Sequence, residues 1–222
     1  MSLPYGLVPM SSILTAGESG NAKLEHLEIT QKDADFHNLC EYANKRTETF
    51  IVPGSYMKLS VRDHLMMTDT PHEAHTNKGI IEAAHGDVLI AGLGMGMILV
   101  PILRNPKVTS VSVVEIDPGV IKLIHKPLLD KGHFTENEKM KLVVAQGDIF
   151  DFNPAPLRYD VIYFDIWPSI SFLNLKEGRR LKTKFRDCLR PDGWMKIWVE
   201  DEILKEEEKV KNFYRKHPEE RC

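Results

Sequence analysis

The chain has 222 residues, 42% hydrophobic and 27% charged, with a formal net charge of -3. That length suffices for one α/β core with a small addition. The composition is that of a globular protein, and the acidic balance excludes a global basic field for nucleic acid.

Three widely separated cysteines, Cys40, Cys188 and Cys222, form no CxxC pair, so a reducing, cytoplasmic setting is the default. The start, MSLPYGLVPM, lacks the basic and apolar regions of a signal peptide. No apolar run approaches the ~18 residues of a membrane span.

In chain order, a turn at AGESGNAK precedes Leu24, Leu27 and Ile29, which alternate loosely with polar residues as in a short strand. Phe36, Leu39, Cys40 and Ala43 recur at helical spacing, predicting an amphipathic helix over 33–46. FIVPGSYMKLSV reads as two short strands about Pro53-Gly54. Residues 1–70 are thus expected to form an N-terminal appendage or lid, and 71–222 the main domain. The polar stretch RDHLMMTDTPHEAHTN leads into a helix from Pro71 to Ala84, with Thr70 or Asp69 as its cap.

The stretch from Asp87 to Asp117 organises the remainder. An apolar run, Val88 to Ala91, enters a turn with Gly92, Gly94 and Gly96; an apolar helix over 95–103 follows; a second run, 111–114, ends at Glu115. Glycines permit close backbone approach to a ligand, and a carboxylate at the second strand tip suits a ribose diol. The spacing is not that of a dinucleotide fingerprint, because position 97 is Met97, and no P-loop lysine follows. Asp117 suits the cap of a helix over 118–125, with a mixed connection to Glu138.

Strands are expected at 140–145, 159–164 and 194–199, a basic helix at 176–189, a turn at Arg190-Pro191-Asp192-Gly193, and a charged helix at 202–216. Strands alternating with helices predict a mostly parallel sheet covered on both faces. The glycine turn, Glu115, Asp148 and Asp165 then share the carboxyl edge, where such sheets bind ligands. Asp165 is a candidate proton acceptor, and Trp167 a surface for a planar or cationic group. His72 and His75 could share a helix face, but HEAH is not HExxH and no third ligand is evident, so no metal is expected. The basic run Arg179, Arg180, Lys182, Lys184 and Arg186 lacks the interleaved aromatics of a nucleic-acid groove.

GSYMKLSVRD, VLIAGLGMGM, VVEIDPGVI, QGDIFDF and YDVIYFD together resemble the class I S-adenosylmethionine-dependent methyltransferase superfamily, and within it the spermidine-synthase-like branch, over about residues 50–200. DTPHEAHTN with GLGMGM also resembles methyltransferase-like proteins. The resemblance implies a Rossmann-like methyltransferase fold. It implies a glycine loop (Gly92, Gly94, Gly96) around the methionine part of S-adenosylmethionine, Glu115 and Ile116 at the ribose, and Gly147, Asp148 and Ile149 at the adenine. Asp165 and Trp167 would then face the substrate, and Asp63, Asp69 and His72 would close over the donor.

The departures are specific. The aminopropyltransferase loop carries an Asp for the amine of the decarboxylated donor, and that position is Met95; D-S-S-D is replaced by Asp165-Ile166-Trp167-Pro168. The acid that many methyltransferases place before the first glycine is Ile90, and no terminal antiparallel hairpin is expected after the final helix. These departures lead to the expectation of a methyltransferase yielding S-adenosylhomocysteine, acting on a small-molecule or other unidentified substrate. Aminopropyl transfer and a non-catalytic binding module are the alternatives, and a homodimer is a candidate assembly.

Overall fold

A computed structural model describes residues 3–169 and 171–217. It contains two sheets. The first is antiparallel, β1 (Gly17–Ser19), β2 (Ala22–Ile29), β3 (Gly54–Val61) and β4 (His64–Thr68), in sequential order. Helix α1 (Gln31–Ala43) links β2 to β3, and Thr30 and Asp33 form a reciprocal capping box at its start.

Two expectations fail in this region. Residues 50–61 form one strand after Gly54, not two about Pro53-Gly54; the tight turn lies at Arg62 and Asp63, both with positive φ (50° and 62°), the conformation that suits a two-residue hairpin. In α1, Phe36, Leu39 and Cys40 are exposed, and the buried residues are Ala34 and Glu41. The helical spacing was present, but the opposite side packs. Glu41 is satisfied there by a fork from Arg46 Nε (2.8 Å) and Nη2 (2.7 Å) and by the Thr49 hydroxyl (2.6 Å).

Helices α2 (Pro71–Thr76) and α3 (Lys78–Ala83) replace the single helix expected over 71–84; the chain breaks at Asn77, whose side-chain amide bonds back to the Glu73 carbonyl (3.1 Å). The main sheet then runs β5 (Gly86–Ala91), β6 (Val108–Glu115), β7 (Leu142–Gln146), β8 (Tyr159–Phe164) and β9 (Leu189–Ile197), spatially β7-β6-β5-β8-β9 and parallel at every pairing. This is the α/β Rossmann-like arrangement that the alternating pattern predicts. Near-continuous apolar runs suit strands covered on both faces, and Val88, Leu89, Val161, Ile162 and Phe164 are fully buried.

Helices α4 (Leu99–Arg104), α5 (Pro118–Lys131), α6 (Glu136–Met140), α7 (Phe172–Phe185) and α8 (Glu200–Lys216) complete the fold. Helix α5 continues through Pro127, where a mixed connection was expected, and Asp117 caps it through the N–H groups of Gly119 (2.7 Å) and Val120 (3.1 Å). Residues 190–193 lie inside β9, not in a preceding turn. The basic run on α7 is partly engaged by α8: Arg179 pairs with Glu207 (3.0 Å) and Lys182 with Glu200 (2.7 Å).

The two sheets share one core. Leu24, Met57 and Leu59 of the first pack in the same buried cluster as Val120 and Ile124 of α5. Among the described residues no helix is long and apolar enough to cross a membrane. Cys222 lies outside the described residues.

Candidate active site

The carboxyl ends of β5, β6, β7 and β8 are stitched together by backbone hydrogen bonds. Gly92 N–H donates to Val114 (2.9 Å), Gly147 N–H to Glu115 (2.9 Å), and Asp165 N–H to Ala91 (2.8 Å). A Cβ at Gly92, where φ is 94°, would collide with the Asp165 carbonyl, so only glycine brings the first loop this close to the β8 tip. Gly94, with φ 52°, sits under the Met67 sulfur, and Met95 N–H is 3.1 Å from that sulfur. The first sheet is thereby seated directly on the glycine loop.

Between the sheets lies a cavity of about 280 Å³, near the lower end of the roughly 300–1,000 Å³ of small-ligand pockets. Gly92, Gly94, Glu115, Ile116, Gly147, Asp148, Ile149, Asp165 and Trp167 all line it. Gly96 does not: it packs against Leu128 and Ile124 of α5, and its role is to let that helix approach.

Each carboxylate at the β6–β7 end has a backbone partner and capacity left over. Glu115 accepts from Leu93 N–H on one oxygen and from Asp117 N–H on the other, both at 2.8 Å. A carboxylate offers about four lone-pair directions, and with the Ile116 backbone also bonded to Glu115 one remains for a ribose hydroxyl. Burial pushes the Glu115 carboxyl above its ordinary value, against the lowering effect of those donors. Asp148 accepts from Phe150 N–H on Oδ1 (2.8 Å), fixing the turn after β7. Asp148 thus caps this turn, and its second oxygen can serve a ligand as well.

The β8 end is different. Burial raises the Asp165 carboxyl to about 7. Opposite it stands Glu73 of α2, raised to about 8 first by burial and then by Asp165 itself. Trp167 is tethered by its indole N–H to Glu177 Oε2 (2.6 Å), so it offers the cavity its ring. Trp198, just after β9, also forms wall, and its buried indole N–H has no partner among the described residues.

The expected lid residues stand elsewhere. Asp69 is buried and its carboxylate receives Met57 N–H (2.6 Å) and Met10 N–H (2.7 Å), pinning the N-terminal segment to β3. Asp63 is at the exposed tip of the β3–β4 hairpin. His72 is half-buried outside the cavity, near Glu41, Arg46 and His37, and burial lowers it below the ordinary imidazole value.

Across the cavity the charge is of one kind. Glu73, Glu115, Asp117, Asp148 and Asp165 line it, and among the described residues no Lys, Arg or His does. Comparison with known proteins points the same way: residues 61–219 match the spermine/spermidine synthase domain. The chain belongs to the spermine/spermidine synthase domain family.

A relative in that family, the polyamine aminopropyltransferase of Escherichia fergusonii, is 32% identical over 137 residues, covering 59% of this chain. The match spans 43% of that relative, less than half its length. Among solved structures, spermidine synthase from Thermotoga maritima superposes with a TM-score of 0.51 at 17% identity, over 85% of this chain and 56% of the other. A spermidine synthase in complex with the transition state analogue AdoDATO gives 0.50 at 17%, over 82% and 56%. Both show the shared fold.

The expectation of methyl transfer is corrected by these matches: family and relatives are those of aminopropyl transfer. Met95 and Pro168, read as signs against that chemistry, are local differences within the spermine/spermidine synthase domain. The sequence reading also overlooked Glu73 and Trp198. Trp198 lies at the carboxyl edge and the strand-end rule could have found it. Glu73 lies between the two histidines that were weighed as metal ligands, and only the packing of α2 turns it inward.

Proposed function

We propose that this chain transfers the aminopropyl group of decarboxylated S-adenosylmethionine to a small amine. One observation carries the reading: the cavity is lined by five carboxyl groups and by no basic side chain among the described residues. A donor that is a sulfonium and an ammonium, without a carboxylate, is the complementary cation. A donor carboxylate held ~4 Å from one ionised wall carboxylate would be repelled by about 4 kcal/mol at an effective dielectric of ~20, close to a thousandfold in affinity.

In this reading Glu115 accepts a ribose hydroxyl, Asp148 the adenine amine, and the Gly92–Gly94 turn lets the sulfonium approach the backbone. The acceptor's neutral nitrogen attacks the propyl methylene bound to sulfur. The carbon–sulfur bond breaks, its electron pair goes to sulfur, and 5′-methylthioadenosine leaves as a neutral thioether. The nitrogen's surplus proton passes to Asp165, whose raised pKa of about 7 suits a base near neutrality. The sulfonium is already a competent leaving group, so alignment and proton acceptance are the protein's main contributions. Met95 is buried outside the cavity and supplies no acid to the donor amine.

Calorimetric titration with decarboxylated and intact S-adenosylmethionine tests the reading. The decarboxylated donor should bind at least 100-fold more tightly; equal affinities, or a preference for the intact donor, would overturn it.

A further inference from the structure

We propose that Lys184 and Arg180 of α7 are positioning residues for the base of a bound nucleoside; the inference rests on the nucleoside site of the reading above. The basic run on α7 divides between two faces. Arg179 and Lys182 turn to Glu207 and Glu200 of α8. Glu177, Arg180 and Lys184 follow one another at spacings of three and four, which puts them on one face. That face meets the cavity wall from behind. Glu177 accepts the Trp167 indole N–H (2.6 Å). The Arg180 guanidinium lies 5.3 Å from the centre of the Phe150 ring, and the Lys184 ammonium donates to the Phe150 carbonyl. Trp167 and Phe150 both line the cavity.

Phe150 is the residue through which α7 reaches the turn after β7. Gly147, Asp148, Ile149 and Phe150 are consecutive in the chain and all line the cavity. Gly147 N–H, on the Glu115 carbonyl (2.9 Å), anchors the start of the turn to β6. Beyond it the bonds are internal: the N–H groups of Asp151 and Phe152 donate to the Asp148 carbonyl (both 3.0 Å), and Phe150 N–H donates to Asp148 Oδ1 (2.8 Å). Internal bonds fix the shape of the turn. Burial of Ile149 seats it, but apolar burial is non-directional.

The directional outer anchor is α7. A hydrogen bond from an ionised donor is about twice as strong as a neutral one, and Arg180 adds a cation–π contact to the ring. Phe150 is thus held at its N–H by Asp148, at its carbonyl by Lys184 and on its ring by Arg180. Because Phe150 N–H also sets the direction of the Asp148 carboxylate, α7 fixes the second Asp148 oxygen, the one that the adenine amine would meet.

Three variants test this. Lys184→Met keeps an aliphatic stem and removes the donor, Lys184→Arg keeps a donor, and Lys182→Met makes the same charge change on the other face. Amide exchange of the ligand-free proteins, followed by NMR, reads the clamp. Exchange at Phe150, Asp151 and Phe152 should be about tenfold faster in Lys184→Met, the low end of the worth of a hydrogen bond to a charged group, and near wild type in the other two. Equal exchange in wild type and Lys184→Met overturns the proposal. Faster exchange spread equally over β5 marks a merely structural role and overturns it too.

Calorimetry with 5′-methylthioadenosine and 5′-methylthioinosine, in which a carbonyl replaces the 6-amino group, reads the consequence. Wild type should prefer the adenine by about 10- to 100-fold. Lys184→Met should narrow that preference about fivefold or more; Lys184→Arg should restore it, and Lys182→Met should keep it. An undiminished preference in Lys184→Met, with both nucleosides still bound, overturns the positioning role and leaves the nucleoside reading standing. Wild type binding neither nucleoside overturns the reading and the role together, while the exchange comparison still decides whether α7 clamps the turn.

Discussion

Replacing Glu73 by Gln should stabilise the ligand-free protein, and more so as the pH rises. In the unfolded chain this carboxyl ionises near its ordinary 4.5, whereas in the fold it stays protonated to about 8. Between those values the unfolded state binds fewer protons than the native state, so each increment of pH favours unfolding. The full displacement corresponds to roughly 5 kcal/mol at ~1.4 kcal/mol per pH unit. Part of it comes from Asp165, which gives up or regains its own proton as Glu73 titrates, so about 2–3 kcal/mol is the expected gain at pH 8.5.

Glutamine is nearly isosteric, retains an oxygen to accept the Thr68 hydrogen bond, and cannot ionise. At ~2–4 °C per kcal/mol for a chain of this size, the variant should melt about 5–10 °C above wild type at pH 8.5. The difference should close as the pH falls toward 4.5. Scanning calorimetry across that range is the assay. Melting temperatures that run parallel at every pH, or a variant less stable than wild type at pH 8.5, would refute the reasoning.

Glu115→Gln removes one of two acceptor oxygens at the β6 tip and should weaken 5′-methylthioadenosine about 10- to 100-fold, the worth of a hydrogen bond to a charged group; titration calorimetry reads it, and an unchanged affinity would remove Glu115 from the ribose site. Asp69→Asn sets an amide N–H against one of the two backbone donors now held, Met10 or Met57. It should cost about 2–4 kcal/mol, read from urea denaturation and from faster amide exchange at those two residues. Equal exchange in both proteins would contradict the clamp.

Much of the main domain was legible because its physics is local. Val88–Ala91 and Tyr159–Phe164 are apolar runs bounded by turn residues, and a strand buried on both faces produces that pattern. The same rule placed Glu115, Asp148 and Asp165 on one edge. The N-terminal region was harder. Phe36 and Leu39 have helical spacing yet face outward, and the hairpin turns at Arg62-Asp63 without glycine or asparagine to mark it.

At the site, the loop was judged by what it lacked. Met95 is a real loss of a carboxylate from the loop, but the chain places Glu73 in the same cavity from a helix in front of the sheet, through a contact between Asn77 and Tyr163 that no local pattern encodes. That long-range placement is also why the transferred group was misread as methyl. Asp69 shows the converse error: an acid in a polar stretch, read as a lid residue, is consumed by two backbone N–H groups of the fold itself.

Aminopropyl transfer is read out by turnover itself. Incubation of the protein with decarboxylated S-adenosylmethionine and a panel of diamines and polyamines, followed by mass spectrometry, should yield 5′-methylthioadenosine and an acceptor carrying one added aminopropyl group. Asp165→Asn should lower that rate about 10²- to 10⁴-fold while still binding the nucleoside. Formation of neither product above the rate without protein, while the donor binds, would contradict the account.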